Sequence, residues 1–477
     1  MKLSTLLNGV KTFSTFKDVE IEGITDKDKE LGENTLFICI NGDTFDGHLI
    51  AKTKNIKAVA VVTETDLNFE NQIIVENTRK AYSIIASNFY NNAHKQLKLI
   101  GVTGTNGKTS TSHFIKAMLD DMGIKCGLIG TVGNMLGNEE KSANLTTPEP
   151  MELHNLFNEM VKSNCKYCVM EVSSQSLAQY RVYGLEYDIS ILTNITREHL
   201  DYHKNMENYI KSKLMLFEIS KQAVLNIDDE NIRNNLQKIS CDYSTVSTIS
   251  NSADFTAKNI VCNENGIKYE LVGIDCIGRI NASCVGQFNV TNTLLAISTL
   301  IELGFDFDKV INSALKLKNV KGRAEKVDVN TDFTVLIDYA HTPDGLENIL
   351  NSVCEFSKGR IITVFGCGGN RDASKRAEMG RIASEKSHIV VVTSDNPRNE
   401  NPLLIINDIL SGFKKSKTKL VVIENREQAI HYALKKARKN DIVLIAGKGH
   451  EEYQIVGNEK IPFDERKIVK DFINRQE

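Results

Sequence analysis

The chain carries its most informative stretch at residues 99–110, which read LIGVTGTNGKTS. A short apolar run typical of a buried strand leads into a glycine-rich turn, and the pattern that follows predicts a helix over 112–121. In this order, strand, turn and helix present successive backbone N–H groups and the positive end of a helix dipole to an anion. The stretch therefore predicts a phosphate-binding loop in an α/β sheet.

The chemistry of this loop depends on a lysine and a threonine at its end. Lys108 can reach the β- and γ-phosphates of ATP, and the Thr109 hydroxyl can ligate Mg²⁺. The strict pattern GxxxxGK[ST] is not met, because Val102 stands where its first glycine belongs. The residues that we predict to bind the nucleotide here are Gly104, Thr105, Asn106, Gly107, Lys108, Thr109 and Ser110.

Apolar runs separated by helical spacers continue on both sides of the loop. Strands that alternate with helices predict parallel sheets with helices on both faces. The texture changes near residues 97 and 320, so we predict three α/β domains: 1–97, 98–320 and 321–477. The third is Rossmann-like, although it lacks a GxGxxG fingerprint. The runs expected to form strands are 35–40, 58–62, 72–75, 99–103, 167–172, 189–194, 223–227, 334–337, 360–365, 388–393, 419–423 and 441–446.

Bulk composition excludes several classes of protein. A formal net charge of −3 over 477 residues gives no basic field for nucleic acid. The sequence contains no run of roughly 18 apolar residues that could span a membrane, and residues 1–16 lack the apolar core of a signal peptide. We therefore expect a cytoplasmic monomer that binds neither nucleic acid nor membrane. Cys165 and Cys168 form a lone CxxC, which we interpret as core thiols.

Two side chains fall where a parallel sheet gathers its ligands. Glu171 ends one predicted strand, and His199 follows the next. Glu171 and Thr109 offer the oxygen ligands that Mg²⁺ prefers, whereas a histidine ligand is less usual. By spacing alone, Glu171 could equally form a strand-end ion pair. His199 and His203 have the i, i+4 spacing of a zinc motif, but no glutamate follows His199, so a metalloprotease is excluded.

Several motifs together resemble the Mur ligase family, in the family's order and over nearly the whole chain. In that family the first domain holds UDP, the second holds ATP and the reacting carboxylate, and the third holds the incoming amino acid. The resemblance thus implies a three-domain α/β architecture with a central phosphate-loop domain. The motifs are GVTGTNGKTS at 101–110, TTP at 146–148, EVSS at 171–174, TNI at 193–195, HLDYH at 199–203 and DYAHTPD at 338–344.

The resemblance also implies roles for individual residues. Lys108 and Thr109 would bind ATP phosphates and Mg²⁺, and Glu171 and His199 would help to hold Mg²⁺. Lys213 lies in YIKSKLMLF at 209–217, similar to the family's YxxAKxxLF, in which the lysine is carbamoylated and can ligate a second Mg²⁺. From spacing alone, Lys213 would be a solvated lysine on a helix. The implied substrate contacts are Thr146, Thr147, Ser173 and Arg181, and the implied nucleotide contacts are Asn289, Asn292, Arg323, Asp338 and His341.

A third-domain motif bears on the choice of amino acid. The sequence DNPR at 395–398 resembles the motif of members that add diaminopimelate. Arg398 can grip the far carboxylate of that substrate through a bidentate fork, whereas lysine has no such carboxylate. Arg371 is a second candidate clamp, and Gly447 and Glu451 could receive the far ammonium. The implied amino-acid contacts are Arg371, Asp395, Asn396, Pro397, Arg398, Gly447 and Glu451.

The chain departs from the family pattern at a few positions. It reads KDK at 27–29, where many members read DSR, so we assign no uridine contacts. Gln175, Glu198 and Asn370 stand where histidine, aspartate and aspartate are frequent. Because glutamine cannot titrate as histidine does, Gln175 cannot carry a role that needs that proton.

The resemblance implies an ATP-dependent amide ligase of peptidoglycan precursor synthesis. It would add meso-diaminopimelate to UDP-N-acetylmuramoyl-L-Ala-D-Glu through an acyl phosphate, with ATP and Mg²⁺ as cofactors. The partners would be this UDP-linked dipeptide and a diamino acid. Alternatives are a sister ligase that adds L-lysine or meso-lanthionine, a folylpolyglutamate-type ligase, and a phosphate-loop NTPase that acts as a switch.

Overall fold

The computed structural model describes residues 1–42, 46–53, 56–414 and 418–475. Its strands form three large sheets in successive parts of the chain, together with one two-stranded hairpin. Within these described ranges no helix is long and apolar enough to cross a bilayer. Short 3₁₀ helices occupy Asp28–Glu30, Ala93–Gln96, Met215–Ile219 and Leu236–Lys238.

The first part of the chain forms a small parallel sheet in the order β1-β2-β3-β4. The last of its helices begins where the Asn77 side chain accepts a hydrogen bond from the Lys80 backbone N–H, a standard N-cap. This helix packs Ala81 and Ile85 against the sheet. The elements are α1 (Leu3–Leu6), β1 (Gly23–Thr25), β2 (Thr35–Ile38), α2 (Gly47–Thr53), β3 (Ala60–Thr63), β4 (Gln72–Ile74) and α3 (Thr78–Phe89).

An eleven-stranded sheet forms the centre of the molecule, in the order β15-β14-β13-β12-β11-β10-β5-β9-β6-β7-β8. The strands from β13 to β6 in this order are parallel, and the pairs at both ends are antiparallel. The strands are β5 (Lys98–Thr103), β6 (Cys126–Ile129), β7 (Asn134–Leu136), β8 (Glu139–Lys141), β9 (Tyr167–Glu171), β10 (Ile189–Leu192), β11 (Gln222–Asn226), β12 (Asp242–Ser247), β13 (Phe255–Asn263), β14 (Gly266–Gly273) and β15 (Cys276–Ala282).

Helices cover both faces of this central sheet, which is why its inner strands are continuous apolar runs. On one face α4 contributes Phe114 and Met118 to the core. On the other face α5 contributes Phe157. The helices are α4 (Lys108–Asp121), α5 (Pro150–Lys162), α6 (Ser174–Ala178), α7 (Leu200–His203), α8 (Met206–Leu214), α9 (Glu230–Arg233), α10 (Phe288–Glu302) and α11 (Phe307–Ala314).

The last part of the chain forms a six-stranded sheet in the order β16-β17-β21-β18-β19-β20, parallel except for β16. Val285 and Phe288 of the central region pack against its core. The elements are β16 (Glu325–Lys326), β17 (Thr334–Asp338), α12 (Pro343–Phe356), β18 (Ile361–Phe365), α13 (Ser374–Lys386), β19 (Ile389–Val392), α14 (Pro402–Leu410), β20 (Lys419–Val422), α15 (Arg426–Lys436), β21 (Ile442–Ala446), β22 (Tyr453–Val456), β23 (Glu459–Pro462) and α16 (Glu465–Asn474).

Every apolar run that was predicted to form a strand does so, within two residues at either end. The antiparallel strands β13–β15 were missed, because their burial alternates with exposure and their apolar residues are not contiguous. The helix after the phosphate loop begins at Lys108 and not at residue 112. Its first turn is polar and therefore carries no apolar periodicity. Cys165 and Cys168 are buried, as predicted for core thiols.

Candidate active site between the central and C-terminal sheets

The phosphate-binding loop lies at the carboxyl end of β5 and borders a cleft between the central and C-terminal sheets. Gly104 and Gly107 adopt positive φ angles of 143° and 86°. A β-carbon at Gly104 would lie 1.9 Å from Thr193 Oγ1, and one at Gly107 would lie 2.5 Å from Asn292 Oδ1. Both positions therefore exclude any side chain. The cleft is lined by Asn106, Gly107, Ser110, Asn194, Glu198, Asn226, Phe288, Thr291, Asn292, Arg323, Asp338, Tyr339, Ala340, His341, Thr342, Gly345, Asn348 and Ile349.

Lys108 opens α4 with its ammonium folded back over the loop. Its Nζ donates hydrogen bonds to the Gly104 and Thr105 carbonyls at 2.9 and 2.7 Å. Burial lowers the pKa of Lys108, and the neighbouring Glu198 and Glu171 partly oppose this. The Thr105 hydroxyl lies 3.0 Å from the Tyr209 hydroxyl, so Tyr209 helps to hold the loop in place.

Glu171, at the end of β9, is completely buried. Its carboxylate accepts hydrogen bonds from the Thr109 hydroxyl at 3.0 Å and from the Thr131 backbone N–H and hydroxyl at 2.9 and 3.1 Å. The Thr131 hydroxyl in turn lies 2.9 Å from that of Thr146. All of these partners are neutral, and across the described ranges Glu171 forms no ion pair. The strand-end ion pair that spacing allowed is therefore absent among these residues.

This arrangement has the chemistry of a hard-cation site. A buried carboxylate without a counter-ion is costly unless a cation compensates it. The oxygens of Glu171, Thr109 and Thr131 match the ligands that Mg²⁺ prefers. In the part of the chain that the structure describes, no group of three histidine, cysteine or acidic side chains could hold a metal on its own. A bound Mg²⁺ would therefore complete its shell with phosphate oxygens and water.

Lys213 is buried beside the phosphate loop, with 2% of its surface exposed. Its Nζ donates to the Gly104 carbonyl at 2.7 Å and lies 4.5 Å from the centre of the Tyr209 ring. Burial, together with the nearby Lys108 charge, lowers the pKa of Lys213 well below its usual range. The solvated lysine that helical spacing suggested does not occur.

His199 caps α7 in the left-handed region, at φ 54°. Its Nε2 lies 3.7 Å from a carboxylate oxygen of Glu198. Burial raises the pKa of Glu198, but the charges of His199, Lys108, His341 and Lys213 outweigh it and lower that pKa overall. Glu198 thus keeps a negative charge in the cleft.

His203 is buried and is not available as a ligand in this arrangement. Its ring nitrogens lie 2.9 Å from the Ser174 hydroxyl and 3.3 Å from the Ser212 hydroxyl. Burial lowers the pKa of His203 to about 4, so the ring is neutral at physiological pH. The pairing with His199 that the i, i+4 spacing suggested is not formed.

The four predicted contacts to the muramoyl-peptide lie together next to Glu171. The Thr147 hydroxyl donates to the Glu171 carbonyl at 2.8 Å and accepts from the Ser173 backbone N–H at 3.0 Å. Arg181 donates to the Thr147 carbonyl at 2.9 Å and pairs with Glu149 at 2.8 Å. Thr146 joins the group through Thr131.

The far wall of the cleft comes from the C-terminal sheet. Arg323 reaches across it: one guanidinium nitrogen donates to the Thr109 hydroxyl at 3.1 Å, and the guanidinium carbon lies 4.7 Å from the centre of the Tyr339 ring. The Asp338 carboxylate accepts backbone hydrogen bonds from Ala324 at 2.6 Å and Ala340 at 2.8 Å. Burial raises the pKa of Asp338. Asp338 therefore holds the backbone of this wall in place and also lines the cleft.

The two predicted asparagines of α10 have different surroundings. Asn292 lines the cleft. Asn289 does not line it: its side chain is buried, donates to the Val285 carbonyl at 2.8 Å and accepts from the Asn292 amide at 3.1 Å. Asn289 therefore orients Asn292 in this structure.

A second polar cluster follows β19 and β21 at the carboxyl edge of the C-terminal sheet. Asn396 donates to the Glu451 carboxylate at 2.9 Å, and buried Lys448 donates to both Asn396 and Glu451 at 2.9 Å. Asp395 Oδ2 is buried and has no hydrogen-bond partner among the described residues. A β-carbon at Gly447 would lie 2.8 Å from this oxygen, so glycine leaves open the space in front of it.

The two arginines predicted to clamp a carboxylate lie on adjacent loops. Arg398 adopts a left-handed conformation, at φ 51°, and donates to the Gly369 carbonyl at 2.9 Å. Arg371 is exposed and, among the described residues, forms no hydrogen bond or ion pair. The Pro397 backbone packs closely against the same turn. A β-carbon at Gly369 would lie 2.0 Å from the Pro397 carbonyl oxygen.

Sequence reasoning missed several polar residues that the structure places in these clusters. Thr131 precedes the family's TTP motif and belongs to no motif of its own. Glu198 was noted only as a departure from the family pattern. Lys448 lies between the predicted contacts Gly447 and Glu451 but was given no role. The acidic end of the DYAHTPD motif, Asp344, accepts hydrogen bonds from Asn106 and from Thr196 at 3.1 Å, which joins α12 to the phosphate loop.

Comparison with known proteins supports this assignment of the fold. The family signatures for the Mur ligase middle domain and for the Mur ligase glutamate ligase domain match residues 102–300 and 322–449. A UDP-N-acetylmuramoyl-L-alanyl-D-glutamate–2,6-diaminopimelate ligase from Clostridium acetobutylicum is 44% identical over 99% of each chain. The enzyme of that name from Caldanaerobacter subterraneus is also 44% identical, over 100% of each chain.

Solved structures share the architecture. A structure of UDP-N-acetylmuramoyl-L-alanyl-D-glutamate–2,6-diaminopimelate ligase superimposes with a TM-score of 0.71 at 29% identity, covering 96% of this chain and 95% of that one. The MurF ligase of Thermotoga maritima in complex with ADP shares the fold at a TM-score of 0.62 and 17% identity, over 95% and 96% of the two chains. The phosphate loop, the interdomain cleft and the sequence identity over the full length of these relatives agree, and this chain belongs to the Mur ligase family.

Proposed function

We propose that this chain is an ATP-dependent amide ligase that adds 2,6-diaminopimelate to UDP-N-acetylmuramoyl-L-alanyl-D-glutamate in peptidoglycan precursor synthesis. The activity is that of relatives with the same three-domain fold. The observation that carries the choice of amino acid is a basic and an acidic group on the neighbouring loops after β18 and β19. Among the described residues, Arg371 forms no hydrogen bond or ion pair, and the buried Asp395 Oδ2 has no hydrogen-bond partner.

The chemistry of diaminopimelate fits this pair. Its far end carries both a carboxylate and an ammonium, so its recognition needs a cation and an anion close together. Arg371 and Arg398 supply the cation, and guanidinium groups bind carboxylates in a bidentate geometry. Asp395 and Glu451 supply the anion. The nearest cation to Asp395 Oδ2 is Arg426 at 3.8 Å, beyond hydrogen-bond distance, so that oxygen can accept from an ammonium.

We assign the nucleotide to the cleft and its phosphates to the loop. Loop residues Gly104, Gly107, Lys108, Thr109 and Ser110 would hold the phosphates through backbone N–H groups and the Lys108 ammonium. The other nucleotide contacts in this assignment are Thr105, Asn106, Asn292, Arg323, Asp338 and His341, and Asn289 acts through Asn292. The MurF ligase of Thermotoga maritima, which shares this fold and was solved in complex with ADP, supports the assignment.

Mg²⁺ would be held by Thr109 and Glu171, with His199 at the rim and Lys213 if it is carbamoylated. When bound, the ion neutralises phosphate charge. Carbamoylation joins a neutral amine to CO₂ and releases one proton, which leaves a carboxylate-like anion. The lowered pKa of Lys213 supports this modification, because burial disfavours the charged ammonium relative to the neutral amine that reacts with CO₂.

In the mechanism that we propose, the chain acts mainly by positioning and by charge. Thr146, Thr147, Ser173 and Arg181 would bring the side-chain carboxylate of the substrate's D-glutamate in line with the γ-phosphate. The carboxylate oxygen attacks phosphorus, ADP leaves, and an acyl phosphate forms. The diaminopimelate amine attacks the acyl carbon, phosphate leaves with the electron pair of the C–O bond, and the amine loses one proton as the amide forms.

We further assign the three domains to residues 1–97, 98–320 and 321–477, binding UDP, ATP and the amino acid respectively. The three separate sheets support this division. We propose that the enzyme acts as a cytoplasmic monomer, since its UDP-linked and ATP substrates are cytosolic in character. No contact with nucleic acid or membrane is required.

The test is phosphate release from ATP with UDP-N-acetylmuramoyl-L-Ala-D-Glu, comparing meso-diaminopimelate, meso-lanthionine and L-lysine, with mass analysis of the product. We expect release and the matching mass gain with diaminopimelate. Meso-lanthionine presents the same two ends and should also react. Equal use of lysine would contradict the two-charge site but keep the ligase. ATP turnover without any acceptor and without an amide product would instead support the NTPase switch.

A further inference from the structure

The loops that carry Arg371 and Arg398 are joined by an ion pair between buried Arg376 and partly exposed Glu400, which belongs to none of the motifs above. Arg376, on α13, is 3% exposed. One of its guanidinium nitrogens donates to both carboxylate oxygens of Glu400, at 3.1 and 2.9 Å. The other terminal nitrogen donates to Asp408 at 2.9 Å on the opposite side. Arg376 therefore holds Glu400 from the core of the C-terminal sheet.

The Glu400 carboxylate also reaches the loop that follows β18. It accepts a hydrogen bond from the backbone N–H of Asn370, immediately before Arg371. Asn370 adopts a left-handed conformation, at φ 52°, and its side-chain oxygen accepts from the Asn399 backbone N–H at 3.1 Å. The hydrogen bond from Asn370 is the main reason that the pKa of Glu400 lies below its usual value. This loop is thus held from both sides of Asn370.

The same loop determines where the Arg398 guanidinium lies. Gly369 donates its backbone N–H to the Asn396 carbonyl at 2.9 Å and accepts from Arg398 at 2.9 Å. Arg376 also donates to the carbonyl of Gly368, at 3.4 Å. A shift of residues 368–371 would therefore move both the acceptor that orients Arg398 and the backbone that carries Arg371.

We propose that Glu400, held by Arg376, is a positioning residue that sets the direction of the Arg398 guanidinium and the position of the backbone that carries Arg371, and so the recognition of the far end of the diamino acid. The inference rests on the proposed function and adds a specificity determinant to it. Glu400 itself need not touch the substrate. Its effect arises because a bidentate clamp tolerates little misplacement, and an error of about 1 Å can cost on the order of 100-fold in rate.

The test compares the three apparent KM values of Glu400→Ala with those of the wild-type chain. We expect the KM for diaminopimelate to rise about 10- to 100-fold, while the KM values for ATP and the UDP-linked dipeptide change by less than about twofold. Preference for diaminopimelate over lysine should fall in parallel. Glu400→Gln keeps the size and one acceptor oxygen, so its KM for diaminopimelate should lie between those of the wild type and Glu400→Ala.

The matched control is Asp408→Asn, which breaks the other ion pair of Arg376 at a half-exposed position away from the loops. It should leave all three KM values unchanged, whereas loss of general stability would affect both variants alike. Melting temperatures of all variants would separate these cases.

An unchanged KM for diaminopimelate in a folded Glu400→Ala, or an equal rise for all three substrates, would overturn the inference alone. A wild-type chain that uses no diamino acid would overturn the proposed function as well. An increase restricted to diaminopimelate and graded from Gln to Ala would support the positioning role.

Discussion

Replacing Glu171 by glutamine tests the cation site most directly. The substitution keeps the shape of the side chain and removes one negative charge from a completely buried position. Glu171 accepts three hydrogen bonds, from Thr109 and Thr131, and has no ion-pair partner among the described residues. If Glu171 is only structural, the glutamine amide should replace it almost as well, because its oxygen can still accept hydrogen bonds. If Glu171 binds a cation, the amide cannot replace it, because the negative charge is lost.

The magnitude follows from the charge that is lost. Two unit charges about 4 Å apart interact by about 4 kcal/mol at an effective dielectric constant of about 20. A divalent ion doubles this value, while the remaining amide oxygen and water recover part of it. A net loss of about 3–4 kcal/mol in the transition state corresponds to a kcat that is lower by roughly 100- to 1,000-fold. Folding stability should change by only about 1 kcal/mol, since the lost charge was itself costly to bury.

The assay is phosphate release at saturating substrates over a range of Mg²⁺ concentrations, together with thermal unfolding without Mg²⁺. Glu171→Gln should show the large fall in kcat, a weaker response to Mg²⁺ and a nearly unchanged melting temperature. Thr131→Val is a useful companion, because it removes one hydroxyl from the same carboxylate but no charge. A fall in kcat of less than about tenfold combined with a clear loss of stability would show that Glu171 is structural and refute the reasoning.

Three further predictions concern other parts of the molecule. Lys213→Arg should abolish incorporation of ¹³CO₂, observed by carbon NMR of the wild-type chain, and should lower kcat; a wild-type chain without a carbamate signal would contradict the modification. Arg398→Lys keeps the charge but loses the planar fork, so kcat/KM for diaminopimelate should fall about 100-fold with the KM for ATP unchanged; an equal loss with every substrate would point to misfolding. Burial lowers the pKa of His154 to about 3, and neither ring nitrogen has a hydrogen-bond partner in the part of the chain that the structure describes. The pKa of His154 is lower in the folded chain than in the unfolded chain. The contribution of the neutral ring to the free energy of unfolding is therefore complete above about pH 6.5 and is lost as the pH falls towards 3, by about 3 kcal/mol at pH 4. His154→Phe should therefore show a smaller drop in melting temperature between pH 7 and pH 4.5 than the wild type, and an equal drop would contradict this account.

The parts of the fold that could be predicted are those whose signal is local. Buried parallel strands such as β18 and β19 are continuous apolar runs, because helices cover both faces of their sheet. The strands β13–β15 lie at an edge, alternate between buried and exposed residues, and so resemble surface loops in composition. The start of α4 was misplaced for a related reason: its first turn faces the phosphate site and is polar.

The candidate site divides in the same way. Motif resemblance brought together residues such as Thr147 and Arg181, and the structure places them within hydrogen-bond distance of one another. It gave no indication of Thr131 or of the Arg376–Glu400 pair, because neither belongs to a motif. It implied the same role for Asn289 and Asn292, whereas in the structure Asn292 lines the cleft and Asn289 accepts a hydrogen bond from it.

By itself, the sequence determined the phosphate-binding loop, the alternation of strands and helices, and the family. These depend on residues that are adjacent in the chain: glycines at 104 and 107 where the backbone needs positive φ, and apolar periodicity around them. Only the tertiary structure decided that Glu171 forms no ion pair with any described residue, that Lys213 is buried against Gly104, and that Glu400 joins two loops. These properties arise from desolvation and from pairing between residues far apart in the chain, which no local pattern encodes.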